Sequence, residues 1–116
     1  MKPVIVFHNP RCSKSRQVLD LLNSRDVQYK TFLYLENEIS HDEFVRILGL
    51  LKIKPRDILR VKDKEYLENN LNNMDLTDEE IIKIVLKNRK LIERPIVING
   101  EKAVIARPPE KVFHVL

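Results

Sequence analysis

The 116-residue sequence is poor in the features on which many function classes depend. It has one cysteine, two glycines and no tryptophan, and aromatic residues make up only 6%. A single cysteine makes no internal disulfide, which excludes a secreted disulfide framework. Gly49 and Gly100 are too few for a phosphate-cradling loop or a dinucleotide fingerprint. One cysteine and three scattered histidines (His8, His41, His114) lack zinc-ligand spacing, so neither a metal site nor a bound cofactor is expected. Met1-Lys2-Pro3 leads into a short apolar run that ends at His8. That run is too short for a signal peptide or a membrane span, so the expected location is the cytoplasm, where thiols stay reduced. Any redox cycle through the one cysteine must then borrow its second thiol from another molecule.

Charge points the same way. A net charge of +4 with a pI near 9.3 fits nucleic acid or a small anion as partner. The chain has no run of five basic residues and few aromatics, so nucleic-acid binding is not expected. Dispersed positive charge fits an anion pocket better, although Lys52, Lys54, Lys83, Lys87 and Lys90 read as solvating helix faces. With 43% hydrophobic and 33% charged residues, the composition is that of an ordinary soluble globular protein. One domain over residues 1–116 is expected, large enough to bury a core unaided.

What is present centres on His8-Asn9-Pro10-Arg11-Cys12-Ser13-Lys14-Ser15-Arg16. The apolar run Val4-Ile5-Val6-Phe7 precedes it and an amphipathic stretch begins around Ser13. A strand, a Pro-containing turn and a helix opening at a thiol place a nucleophile on a helix dipole, which stabilises the thiolate. Arg11, Lys14 and Arg16 add cationic field. An ordinary thiol with a pKa of about 8.5 is only about 3% ionised at pH 7. A fall of roughly two units, worth about 2.7 kcal/mol, makes the thiolate the majority form. A lone cysteine is commonly a small buried hydrophobe. Its neighbours here are Arg, Ser, Lys, Ser and Arg, which are not core material, so Cys12 reads as reactive.

Element by element, residues 2–8 read as a buried strand, 14–24 as a helix with an apolar stripe (Val18, Leu19, Leu21, Leu22), and 29–35 as a second strand, parallel to the first. Ser40 with Glu43 and Thr77 with Glu80 form capping boxes for two helices. Pro55 starts a short helix over 56–60, and 65–69 offers at most a weak turn. Pro95 to Ile98 is a strand, Asn99-Gly100 a hairpin turn, and Lys102 to Ala106 its return. Pro108-Pro109 opens a terminal helix. The order is β-α-β, a helical insert over 40–93, then a β-hairpin and a helix. That is an α/β, thioredoxin-like fold with a four-stranded mixed sheet.

Such folds carry a C-x-x-C motif at the first helix. Here it is Cys12-Ser13-Lys14-Ser15, so the thiol attacks but has no partner to resolve its adduct. The Ser15 hydroxyl either donates to the sulfur or to a bound oxyanion, or satisfies backbone groups. Arg16 lies one turn beyond Cys12, Arg60 ends the Ile58-Leu59 helix, and Arg94 and Arg107 each precede a proline, which disfavours the α region for them. A cis peptide at Arg94-Pro95 would turn its backbone toward the helix bearing Cys12. Guanidinium forks match tetrahedral oxyanions bidentately.

Over nearly its whole length the chain resembles the ArsC-type arsenate reductases that depend on glutathione and glutaredoxin. The residues that match are His8-Asn9-Pro10-x-Cys12-x-x-Ser15-Arg16, Leu33-Tyr34-Leu35-Glu36, Ile58-Leu59-Arg60, Arg94-Pro95-Ile96-Val97 and Arg107-Pro108. The resemblance implies that Cys12 is the nucleophile and that Arg60, Arg94 and Arg107 bind the oxyanion, with His8 helping to lower the thiol pKa. It also implies arsenate as substrate, glutathione as reducing co-substrate and glutaredoxin as partner. The loop departs from the best-known resistance enzymes by being more basic, through Arg11 and Ser13-Lys14. Two other readings stay open: a glutathione-linked thiol transferase acting on another electrophile, and a thiol-based regulator resembling those that grip RNA polymerase. The latter typically carry the second cysteine that Ser15 replaces.

Overall fold

A computed structural model describes residues 3–116; Lys2, the first residue of the expected strand, lies outside them. Four strands form one sheet in the order β2-β1-β3-β4: β1 Val4–Phe7, β2 Tyr29–Phe32, β3 Ile96–Asn99 and β4 Lys102–Ile105. β1 and β2 run parallel, as a crossover through α1 (Ser13–Ser24) requires, and the other pairs are antiparallel. This is the thioredoxin-like mixed sheet expected from the element order.

The chain divides into two units, residues 1–37 with 94–116, and residues 38–93. In the first, alternation along the strands sends Val4, Val6 and Val97 to one face. There they join Val18 and Leu22 of α1 and Val112 and Val115 of the terminal segment in a buried cluster. Phe7 belongs to the opposite face, stacked on Tyr34 (centroids 6.5 Å apart) and tilted against Phe32 (4.9 Å). β2 stops at Phe32, short of the expected 35, because Leu33 to Glu36 leave the ladder in a turn closed by Glu36 N–H to Leu33 O.

Two C-terminal details differ from expectation. Asn99 pairs with Lys102, so the two-residue hairpin loop is Gly100-Glu101, one position later than Asn99-Gly100. Gly100 alone of the two has positive φ (62°), the arrangement of a type II′ loop. Asn99 is thereby freed to donate from Nδ2 to Val115 O at 2.7 Å. The terminal helix, Pro109–Val115, is wound as a 3₁₀ helix. It is braced by the Arg25 guanidinium 4.4 Å above the Phe113 ring.

The second unit holds α2 (His41–Leu51), a 3₁₀ turn at Pro55–Ile58, α3 (Lys64–Glu68), α4 (Asp78–Lys87) and a 3₁₀ turn at Arg89–Leu91. Phe44, Ile47, Leu48, Ile58, Leu71, Ile81, Ile82, Val85 and Leu91 are among its buried side chains. The box at Thr77 is complete, with Glu80 reaching back to the Thr77 N–H. At Ser40 only half of one forms: its hydroxyl accepts from Glu43 N–H while the Glu43 carboxylate turns to Arg46. The short helix expected over 56–60 ends at Ile58, since Leu59 is extended and bridges Ile92. No helix among the described residues is long and apolar enough to cross a membrane.

One surface pair gives this unit a pH signature. His41 Nε2 lies 2.9 Å from a Glu79 carboxylate oxygen, and the hydrogen bond and charge of Glu79 raise the imidazole pKa. A raised folded-state pKa stabilises the fold below the ordinary value of 6.5, and that contribution fades as pH rises through the raised value. The urea midpoint is expected to fall across that window in the native protein. In Glu79→Gln the slope should flatten; an equal slope in both proteins would assign it to other groups.

Candidate active site

Cys12 is the N-cap of α1, in extended conformation (φ −95°, ψ 120°), and its carbonyl accepts the first helical bond from Arg16 N–H at 3.1 Å. The turn before it is tied by Asn9, which accepts Cys12 N–H on its carbonyl (3.0 Å) and Arg11 N–H on Oδ1 (3.0 Å). Arg16 folds back so that Nη1 donates to Pro10 O at 2.8 Å. Three side chains thus hold the loop in one shape: Asn9, Arg16 and Ser15.

Ser15 is fully buried, and its hydroxyl turns away from the thiol. Oγ accepts from Asn9 N–H at 3.1 Å and lies 2.6 Å from His8 Nδ1. Burial, then the charge of Arg16, lower the His8 pKa, so the imidazole is neutral near pH 7. The hydroxyl then donates to Nδ1 and the ring proton sits on Nε2. Of the alternatives open for Ser15, its hydroxyl takes the one that satisfies neighbouring polar groups. Ser15→Ala would leave a buried imidazole nitrogen and a backbone N–H unsatisfied, an expected loss of about 1–3 kcal/mol. Urea unfolding measures it, and a change within error would show that the loop relaxes around the missing hydroxyl.

The thiol is half-buried. Burial alone pushes its pKa up and is the largest single influence. Against it stand the Ser15 backbone N–H, the Arg94 guanidinium (by hydrogen bond and by charge) and the Lys14 backbone N–H. Together they hold the pKa below its ordinary value. The neutral thiol makes no cap hydrogen bond, so these donors favour the charged sulfur selectively. Of the cations, Arg94 acts on the sulfur by both hydrogen bond and charge, while the His8 ring is tied to the loop through the Ser15 hydroxyl.

Arg94 comes to Cys12 from the start of the third strand region, joined to Pro95 by a cis peptide bond. Burial tends to lower its pKa, but the bond to Cys12 and the neighbouring Tyr34 hydroxyl more than compensate and raise it. Its Nε is buried and has no hydrogen-bond partner within the protein. Tyr34, fully buried and stacked on Phe7, was not singled out in the sequence as a site residue; nothing in its spacing distinguishes it from core. Arg107 is exposed beyond β4, and its bond to Pro108 is also cis. Arg60, in the 38–93 unit, donates its backbone N–H to Leu91 O at 2.8 Å. Its Nε and Nη1 are buried without partners.

A thiolate-favouring cap beside a guanidinium that retains an unused donor is equipped for nucleophilic attack on a small anion. Comparison with known proteins identifies the family. The model of the ArsC family matches residues 7–115. A protein of Haemophilus influenzae named arsenate reductase is 46% identical over 114 residues, covering 97% of this chain and 98% of the relative. Another of that name from Neisseria meningitidis is 37% identical over 117 residues, with both chains fully covered. The solved arsenate reductase of Vibrio cholerae superposes with a TM-score of 0.95 at 37% identity, over 98% of each chain. Fold, family model and end-to-end relatives agree: the chain belongs to the ArsC family.

Proposed function

We propose that this protein reduces arsenate to arsenite in the cytoplasm, with Cys12 as nucleophile and with glutathione and glutaredoxin as reductants. The observation that carries this reading is the thiol held below its ordinary pKa by backbone N–H groups and Arg94. Such a sulfur ionises more readily than a free thiol, and the thiolate is the form that attacks.

The thiolate attacks arsenic, a sulfur–arsenic bond forms, and one arsenate oxygen leaves as water after taking up protons. Arg94 neutralises charge on the oxyanion as it builds, and Arg60 and Arg107 join it as anion ligands. The buried, unpartnered Nε of Arg94 supports its role, since a buried guanidinium donor without an acceptor is costly. Glutathione displaces a second oxygen as water and forms its own sulfur–arsenic bond. A glutaredoxin thiolate then attacks the glutathione sulfur. The electron pair of the broken bond stays on arsenic, which passes from the +5 to the +3 state, and the two external sulfurs leave as a mixed disulfide. Water releases arsenite and returns Cys12. The chain has one cysteine, so both electrons come from outside it.

A coupled assay with glutathione, glutaredoxin and glutathione reductase is expected to consume NADPH only when arsenate is added. Equal turnover with thioredoxin would remove the glutathione step. A low thiol pKa without arsenate turnover would favour a glutathione-linked transferase, which needs Cys12 but not Arg60 and Arg107.

A further inference from the structure

A cleft of about 410 Å³ flanks the nucleophile loop. His8, Asn9, Pro10 and Arg11 form one wall, and Leu33, Leu35 and Glu36 form the other. The size is within the range of small-molecule sites, roughly 300–1,000 Å³. Both walls are defined by hydrogen bonds already described: Asn9 pins the loop, and the turn after β2 is closed on Leu33 O by Glu36 N–H and by Asn37, backbone and side chain alike.

The lining discriminates among ligands. Leu33, Leu35 and Pro10 give it apolar surface, while Arg11 and Glu36 supply one cation and one anion. An arsenate dianion gains nothing from the leucines and is repelled by Glu36. A purely apolar ligand leaves both charges unused. A zwitterionic peptide with an ammonium group and carboxylates uses every wall. A tripeptide extends over about 10 Å, and its two kinds of charge match the cation and the anion of the lining. Arg11 directly precedes Cys12, so the cleft adjoins the loop that carries the nucleophile.

We infer that this cleft seats the tripeptide thiol: Arg11 pairs with a carboxylate, Glu36 with the ammonium group, and Pro10, Leu33 and Leu35 pack on its methylenes. The inference deepens the proposed function and takes the identity of the thiol from it. Bound there, the thiol sulfur replaces a hydroxyl on arsenic. A sulfur–arsenic bond forms, an oxygen–arsenic bond breaks, and the hydroxyl leaves as water with the thiol proton, with no change in oxidation state.

The test uses S-methylglutathione, which binds without reacting, titrated into the full chain without arsenate and followed by NMR. The methyl signals of Leu33 and Leu35 are expected to shift with saturation. Arg11→Ala should weaken binding about tenfold and Glu36→Gln about threefold. Both residues are exposed, and the NMR spectra themselves report that the variants fold. In the coupled assay the glutathione KM should rise in both variants and not in Lys111→Ala. Shifts confined to other residues, or affinity and KM unmoved in both variants, would overturn the assignment. Binding at the cleft in a protein that turns over no arsenate would uphold the thiol seat and overturn the proposed function instead, so the two fail separately.

Discussion

Cys12→Ser is expected to reduce arsenate-dependent turnover by about 10⁴-fold or more, to the background of the assay. The substitution replaces sulfur by an oxygen of similar position, and serine is itself a good helix N-cap, so the fold should hold or gain slightly. The loss is therefore chemical. An alcohol is not ionised near neutrality, and the Ser15 and Lys14 N–H groups that favour a thiolate have no anion to stabilise. Circular dichroism and urea unfolding would establish that the variant is folded. Turnover within tenfold of native would mean that arsenate is reduced without this sulfur.

Arg94→Ala is expected to act on two observables at once. The guanidinium favours the thiolate by hydrogen bond and charge, so its removal should move the inflection of iodoacetamide alkylation rate against pH upward, toward the ordinary thiol value. The same side chain has a buried unpartnered Nε suited to the oxyanion. Losing a preorganised donor to a developing anion costs about 10²–10³ in kcat/KM. Arg94→Lys should recover much of the alkylation profile through its charge but little of the turnover, because an ammonium lacks the bidentate fork. Lys52→Ala, at the exposed C-cap of α2, should leave both unchanged. If Arg94→Ala and Lys52→Ala behave alike, Arg94 is not part of the site.

The two predictions draw on different parts of the chain's legibility. The position of the nucleophile is local information. An apolar run, a turn and an amphipathic stretch adjoin within two dozen residues, and helix capping is decided by the first few φ and ψ angles. The Thr77 box formed in full for the same reason. The Ser40 box formed by half, because the Glu43 carboxylate had a competing cation one turn ahead in Arg46. The change of period that marks an insert over 40–93 is local information too.

What the sequence by itself determined is the order of elements, the mixed sheet, the single thiol at the start of the first helix and the absence of an internal resolving partner. Each follows from periodicity, capping or residue count, which act over a few positions. Only the tertiary structure decided which cation serves the thiol. Arg11, Lys14 and Arg16 are its neighbours in sequence, yet the guanidinium that hydrogen-bonds the sulfur is that of Arg94, which arrives from beyond the whole 38–93 segment. Strand pairing of β1 with β3 brings it there, and pairing between distant segments leaves no trace in local spacing. The same holds for Ser15, whose hydroxyl could face sulfur or loop until the buried His8 ring claimed it at 2.6 Å. It holds again for the hairpin, where sheet register moved the turn from Asn99-Gly100 to Gly100-Glu101.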